Sequence, residues 1–427
     1  MKRVVITGVG VVAPGAVGSR DFWSLLTSGR TATRGITLFD SLGYRSRVAA
    51  EVDFDSAAHG FTSADTERLD RAAQFALVSA REAMGDSGLD DQSCAPGGEN
   101  PLRTGVCLGS AAGCTTGLAT QYAILKDCAN AWDIGRIEAA DCLYDYFVPS
   151  SLAACVARDS GAQGPVSLVS SGCTSGLDAI GNAAALIREG SADVMIAGGT
   201  EAPISPVAMA SFDRIRLTSA RTDDPATASR PFDRTRDGFV LGEGSAVVVL
   251  EELGHARRRG ARAYAEVSGF AARSSAHHMT GLRPDGRDLA QAIRAALDSA
   301  RLNPVDVDYV SAHGAGTREN DRHETNALKA GLGQHARRVP VSSIKSMIGH
   351  ALGAAGALDV VASALAIRYN TVPPTANLRE PDPVCDLDYT PLFAREHRTG
   401  TVLTLATGFG GLHSATVLTR PRLKELA

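Results

Sequence analysis

Residues Val166–Gly199 read VSLVSSGCTSGLDAIGNAAALIREGSADVMIAGG, and the parsing of this stretch decides the fold. The β-branched and apolar run Val166–Val169, bounded by Gly164 and Pro165, predicts a buried strand. A second apolar strand is predicted at Val194–Ala197. Between them Leu177, Ile180, Ala184 and Ile187 recur at helical spacing, which lays a helix over the sheet. Cys173 falls at the joint, beside Gly172, Ser175 and Gly176. A cysteine there faces the positive end of a helix dipole and free backbone N–H groups. Both favour the thiolate, the form that attacks a carbonyl carbon. A buried structural thiol is the competing reading and stays open on this stretch alone. The small neighbours would let a substrate reach the sulfur.

Outward from this unit, strand and helix signals alternate along the whole chain, which predicts an α/β architecture. Helices are expected at Asp21–Ser28 (beginning near Ser19), Asp65–Ser87 and Ala351–Ile367. Further strands are expected at Thr104–Leu108, Ser245–Leu250, Val307–Ser311, Val339–Ile344 and Thr401–Leu405. Asp90–Arg103, Arg214–Arg236 and the proline-dotted Pro373–Pro391 read as surface connections. A faint echo links Ser245–Leu250 with Ser414–Leu418, and Val106–Gly109 with Val310–Gly314. Two similar halves meeting near Glu252–Ala263 would produce it.

The N-terminal Met1–Gly18 combines a basic start with an apolar run, but its glycines favour an internal strand and turn over a signal peptide. Gly8-Val9-Gly10-Val11-Val12-Ala13 matches a dinucleotide fingerprint, yet Pro14 and Gly15 follow where a helix would have to begin. With 427 residues, 44% hydrophobic and 21% charged, the composition is that of a globular protein with a substantial core. A net charge of −4 gives no sign of nucleic-acid binding. No apolar run is expected to span a membrane. The eight cysteines include no C-x-x-C pair; they suggest neither a disulfide framework nor a metal site, and a cytoplasmic setting suits them.

Two histidines stand in settings like that of Cys173. His313 follows a predicted strand in His313-Gly314-Ala315-Gly316-Thr317, and His350 closes Lys345-Ser346-Met347-Ile348-Gly349-His350. Strand ends are where ligand sites gather in open α/β sheets. One histidine would suffice for a cysteine hydrolase. A second favours an acyl-transferring carbon–carbon bond former, because neutral imidazole N–H groups can hydrogen-bond an enolate oxygen.

These segments, with Gly172-Cys173-Thr174-Ser175-Gly176, Gly408-Phe409-Gly410-Gly411, Arg230-Pro231-Phe232-Asp233 and Gly238–Gly244, resemble the β-ketoacyl synthases of the thiolase superfamily. Leu26–Thr33, Arg322–Asn326 and Cys385–Tyr389 resemble most the ketosynthase α subunit of bacterial type II (aromatic) polyketide synthases. The resemblance implies two similar halves in a five-layer αβαβα arrangement, residues 1–255 carrying the cysteine and residues 256–427 the histidines. It implies decarboxylative Claisen condensation, with Cys173 holding the acyl chain while His313 and His350 promote decarboxylation of malonyl-carrier protein. Lys345 and Glu324 would be the pair that fixes the histidines, and the N–H groups of Cys173 and Phe409 the oxyanion hole. Thr280 and Thr317 would touch the phosphopantetheine arm.

No metal and no cofactor of the chain's own is implied. The implied partners are an acyl carrier protein and a chain-length factor, the latter forming a heterodimer. Arg68, Arg71, Arg214 and Arg216 are candidates for meeting the acidic carrier. Relatives often carry serine where this chain has Ala351, so a second nucleophile at that position is ruled out. A β-ketoacyl-carrier-protein synthase II of fatty-acid synthesis would share every one of these residues.

Overall fold

The structure, a computed structural model, describes residues 2–89, 100–127 and 140–421. Ten strands form the main path: β1 (Val4–Ala13), β2 (Thr104–Gly109), β3 (Val166–Val169), β4 (Val194–Glu201), β5 (Gly244–Glu252), β6 (Ala265–Ser274), β7 (Tyr309–Ser311), β8 (Val341–Ser342), β9 (Thr401–Gly408) and β10 (Leu412–Thr419). Their spatial order is β3-β2-β4-β5-β1-β6-β10-β9-β7-β8. Numbered within each set of five, the two sets have the same order, 3-2-4-5-1, and they meet back to back. In both, the second strand pairs in parallel with the third and fourth, while the fifth runs antiparallel to its neighbours. β1 and β6 join the sets through an antiparallel pairing of Val5 with Glu266 and Ile6 with Ala265. The echoed segments of the sequence occupy matching places, β5 with β10 and β2 with β7.

Six helices complete the layers: α1 (Arg71–Ser87), α2 (Ser151–Ser160), α3 (Ser175–Glu189), α4 (Arg287–Ala300), α5 (Arg318–Leu332) and α6 (Ala355–Tyr369). α1 and α2 cover the outer face of the first set, and α4, with α5 against it, covers that of the second. α3 and α6 lie between the sets and on each other. Leu177, Ile180, Ala184 and Ile187 are fully buried there. Each fully buried Leu or Ile contributes about 1.5–3 kcal/mol of transfer free energy. α6 is apolar on nearly every side, with only Asp359 and Ser363 as buried polar residues and Arg368 exposed at its end. Residues Leu352–Tyr369 are in fact long and apolar enough to cross a membrane by length and composition, contrary to the expectation from sequence. However, 89% of that segment is buried within the protein, as the middle layer requires.

β1 is buried along its whole length. Its Gly8 and Gly10 are there for close packing: a Cβ would lie 2.0 Å from the Ala83 carbonyl oxygen and 1.9 Å from that of Ser79, both on α1. The strand runs on through the fingerprint-like glycines, so no helix begins at them.

Four expectations are corrected. The helix expected over Asp65–Ser87 is two helices, Ser63–Arg68 and α1, because Leu69 is extended and Asp70 caps α1 by accepting the Ala72 N–H at 2.8 Å. β3 is an edge strand with Val166 43% exposed, not a buried one. Arg214–Arg236 is irregular, but Thr218, Ser219, Ala228–Asp233 and Arg236 are buried. Pro373–Leu378, Cys385 and Tyr389 are likewise tucked inside. In both connections polar side chains supply the hydrogen bonds that a buried irregular backbone needs. Residues 90–99 of the expected loop lie outside the described residues, and Pro101–Arg103 forms a 3-10 turn.

Candidate active site

Cys173 sits on a 3-10 turn, Gly172–Thr174, that feeds directly into α3. Side chains fasten the turn. Thr174 Oγ1 donates to Asp178 Oδ2 at 2.8 Å and Ser175 Oγ to the Gly172 carbonyl at 2.6 Å. Asp178 also accepts the Ser171 and Ser414 hydroxyls, the latter from β10 of the other strand set. The thiol is not held as a thiolate, as the helix position alone suggested. Burial, then the nearby Glu201, push it up to about 12, against the lowering influence of Lys345 and the N–H groups of Phe409 and Cys173. Both N–H groups thus lie close enough to the sulfur to favour its charged form.

His313 follows β7. Its backbone N–H and that of Gly314 donate to the two oxygens of Glu324 on α5, at 2.7 and 2.8 Å. Glu324 is fully buried, and burial pushes its carboxyl up to about 7. His350 stands between a short helix, Lys345–Ile348, and the 3-10 turn Leu352–Ala354. Its N–H donates to the Val240 carbonyl at 2.8 Å. The two imidazoles meet edge to face, 5.0 Å between centroids and 83° between planes, and the Phe239 ring lies 5.5 Å from His350.

Both histidines are neutral at ordinary pH. Burial, then the Lys345 ammonium, hold His350 down at about 3. His313 is well below 6.5 for the same two reasons, with His350, His413 and His323 adding to them. The Nδ1 atoms of His313 and His350 have no hydrogen-bond partner among the described residues.

Lys345 is buried, and its Nζ donates to Asp359 Oδ2 at 2.7 Å. Its salt-bridge partner is thus Asp359 on α6, a residue the sequence reading passed over, whereas Glu324 grips the His313 backbone. The reading also missed Glu201, at the end of β4. This buried carboxyl accepts N–H groups of Ala111, Ala112 and Gly353 at 2.7–3.0 Å and the Ser110 hydroxyl at 2.9 Å. It ties the end of β2 to the turn after His350. A lone glutamate ending an apolar strand was the available signal.

One pocket joins these parts. Cys173, His313, His350, Thr280, Thr317 and Phe409 all line it, with Leu217, Phe239, Leu282 and Leu352 as apolar walls. Its contents are a shielded thiol, nearby N–H donors and two neutral imidazoles. Such a set can hold an acyl group on sulfur and stabilise an oxyanion beside it. Of the four arginines considered for a carrier, Arg71 is committed to Glu243 at 2.7 Å and to the Phe75 ring. Arg68 pairs at 3.4 Å with Asp145, both side chains exposed. Arg214 and Arg216 are exposed, Arg216 being the neighbour in sequence of Leu217 in the pocket wall.

Comparison with known proteins matches residues 1–256 to the N-terminal domain of beta-ketoacyl synthase and residues 264–379 to its C-terminal domain. The chain belongs to the β-ketoacyl synthase family. Among ketosynthases of that family, the tetracenomycin polyketide synthase ketoacyl synthase alpha subunit of Streptomyces glaucescens is 60% identical over 99% of this chain and 98% of the relative. The oxytetracycline polyketide putative beta-ketoacyl synthase 1 of Streptomyces rimosus is 58% identical, over 98% and 97%. Among solved ketosynthases, a type II PKS ketosynthase in complex with its acyl-carrier protein and bound to the hexaketide superposes with a TM-score of 0.90. That pair is 37% identical over 98% of this chain and 100% of the other. The ishigamide ketosynthase/chain length factor gives 0.88, at 31% identity over 98% and 99%.

Proposed function

We propose that this chain is the ketosynthase α subunit of a type II polyketide synthase, catalysing decarboxylative Claisen condensation of malonyl-carrier protein with an acyl chain on Cys173. The observation that carries this reading is the 57–60% identity, across nearly the whole chain, to polyketide ketosynthases of this kind. The 3-oxoacyl-[acyl-carrier-protein] synthase 2 of Coxiella burnetii is only 41% identical, over 98% of the chain and 99% of the relative.

The chemistry follows from the charge states. The Cys173 sulfur takes the acyl group from a carrier thioester, and the thiol proton ends on the departing carrier thiol. With the malonyl thioester bound, His313 and His350 donate N–H hydrogen bonds to its carbonyl oxygen. They stabilise the enolate left when carbon dioxide departs, and being neutral they stabilise that charge without surrendering a proton. The enolate carbon attacks the acyl-Cys173 carbonyl, whose oxygen turns to the Cys173 and Phe409 N–H groups. The Cys173 sulfur then leaves as a thiolate and takes up a proton from solvent, which restores the thiol. Burial, with Lys345 adding to it, keeps both imidazoles unprotonated, and Glu324 sets the His313 backbone.

Thr280 and Thr317 are the proposed contacts of the phosphopantetheine arm that carries the substrates, and the chain is given no cofactor of its own. An acyl carrier protein and a chain-length factor are the proposed partners, the second as a heterodimer. Residues 1–255 and 256–427 are read as the two halves, a division supported by the repeated strand order. A cytoplasmic location suits the six buried free cysteines among the described residues. The test is mass spectrometry of products from this chain with a chain-length-factor partner and malonyl-loaded carrier protein. Long poly-β-ketone products that vanish with Cys173→Ala are expected; products of a single condensation would move the assignment to fatty-acid synthesis.

A further inference from the structure

The first turn of α5 presents three polar side chains to the pocket, the exposed Glu319 and, deeper in, Thr317 and Asn320. Thr317 caps the helix, its Oγ1 accepting the Asn320 N–H at 3.2 Å. A hydroxyl that accepts in this way still has its own hydrogen to give. Asn320 also lines the pocket and is 5% exposed. Its Nδ2 donates to Asp321 Oδ1 at 3.3 Å, while its Oδ1 is buried with no partner among the described residues.

That orientation is enforced from behind. Asp321 is fully buried, receives the Arg236 guanidinium at 3.0 Å, and accepts the N–H groups of Phe232 and Gly316 at 2.8 and 3.1 Å. A carboxylate so engaged is an acceptor only, so the Asn320 amide must turn its NH2 toward it. The carbonyl end is then left as an acceptor in need of a donor. Hydroxyl donor and amide acceptor stand three residues apart on one helical turn, hence on one face.

We propose that Asn320 joins Thr317, already a proposed contact of the carrier's phosphopantetheine arm, in reading one secondary amide of that arm, Asn320 Oδ1 accepting its N–H and the Thr317 hydroxyl donating to its carbonyl. The inference rests on the ketosynthase reading. A secondary amide offers one donor and one acceptor. A poly-β-keto chain in its keto form offers only acceptors and would leave Asn320 unpaired. Arg236 and Asp321 are positioning residues for this contact.

The test uses the full chain with its partner subunit. Malonyl-carrier protein is supplied with its native arm, or with an ester oxygen replacing one amide N–H, each amide being changed in turn. For one of the amides, the ester raises KM of the wild type about tenfold with little change in kcat. Asn320→Leu raises KM about tenfold on the native arm and is then indifferent to that ester, the non-additivity that marks a direct contact. Alkylation of Cys173 by iodoacetamide at the wild-type rate shows that the variant is folded. Should it not fold, the wild-type series decides alone. A wild type indifferent to both esters, or an ester penalty equal in wild type and Asn320→Leu, overturns the proposal. A wild type that makes no condensed product from the native arm overturns the ketosynthase reading and this inference with it.

Discussion

α3 and α6 occupy the same place in the two strand sets. Each follows the third strand of its set, each is entered through a 3-10 turn, and the two pack on each other in the middle layer. One entry delivers the Cys173 thiol and the other the His350 imidazole, yet they are fastened by different chemistry. Around Cys173 the fastening is by hydroxyls, those of Ser171, Thr174 and Ser414 converging on Asp178. Around His350 it is by charge, with the buried Lys345–Asp359 pair on one side and Glu201 on the Gly353 N–H on the other. The difference matches the roles proposed for the two groups. An imidazole with the proposed role of hydrogen-bond donor must stay neutral, and burial, then the Lys345 ammonium, favour that. A thiol that alternates between free and acylated states needs a rigid mount and N–H groups aimed at its oxyanion. A fixed charge is no part of that requirement.

The largest effect should come from the thiol side. Cys173→Ala is expected to cut condensation by roughly 10⁴-fold or more, as loss of a nucleophile does. Decarboxylation of malonyl-carrier protein should persist, because it draws on the other side. Product mass spectrometry alongside trapped carbon dioxide reads both; loss of the two together would mean that the sides are not separable. His350→Ala should slow decarboxylation and condensation alike by about 10²–10³-fold, the usual cost of removing one oxyanion donor. Transfer of an acyl group onto Cys173, followed by intact-protein mass, should be much less affected. A cysteine hydrolase using His313 as its base would be indifferent to this change.

Lys345→Met tests the charge fastening directly. It strands Asp359 in the core, which is expected to cost about 3–5 kcal/mol of stability in urea unfolding. Adding Asp359→Leu should restore most of that loss, since an apolar pair of similar volume can replace a buried ion pair. If the double variant is no more stable than the single one, the pair is held by something other than mutual charge.

This contrast also shows what was legible in the sequence. The βαβ unit around Cys173 could be read because its apolar spacing, its bounding Gly and Pro and its small residues all pointed the same way. The match between halves could be glimpsed in Ser245–Leu250 and Ser414–Leu418, whose positions in the sheet are equivalent. Glu201 and Asp359 were hidden because a buried carboxylate leaves no periodic trace; only the fold shows what surrounds it. The break at Leu69–Asp70 was hidden by apolar residues that continued the helical pattern through an N-cap. The charge state of Cys173 was misjudged because a helix N-terminus is visible in sequence and the depth of its burial is not.

The smallest effect sharpens the comparison at one further position. In the echoed strands, the residue before Ser245-Ala246 is Gly244 and the residue before Ser414-Ala415 is His413. His413 is buried and stacked on His323, centroids 5.0 Å apart, so the histidine side of the molecule carries a second imidazole pair behind His313. Burial, then His323, hold His413 down at about 3 against an ordinary 6.5. A group whose folded pKa is depressed adds stability that is present above its unfolded pKa and is lost as pH falls through the folded one. The stability that His413 adds therefore fades between 6.5 and about 3, at up to about 1.4 kcal/mol per pH unit. Glu201 and Glu324, both pushed up to about 7, act in the opposite sense between 4.5 and 7. They are common to wild type and variant and cancel in the difference. His413→Gln keeps a polar side chain there and removes the titration. Its stability relative to wild type, from urea unfolding, should rise by about 2 kcal/mol between pH ~7 and pH ~5. Parallel curves for the two proteins would show that His413 keeps its ordinary basicity and that this side of the fold does not need all its imidazoles neutral.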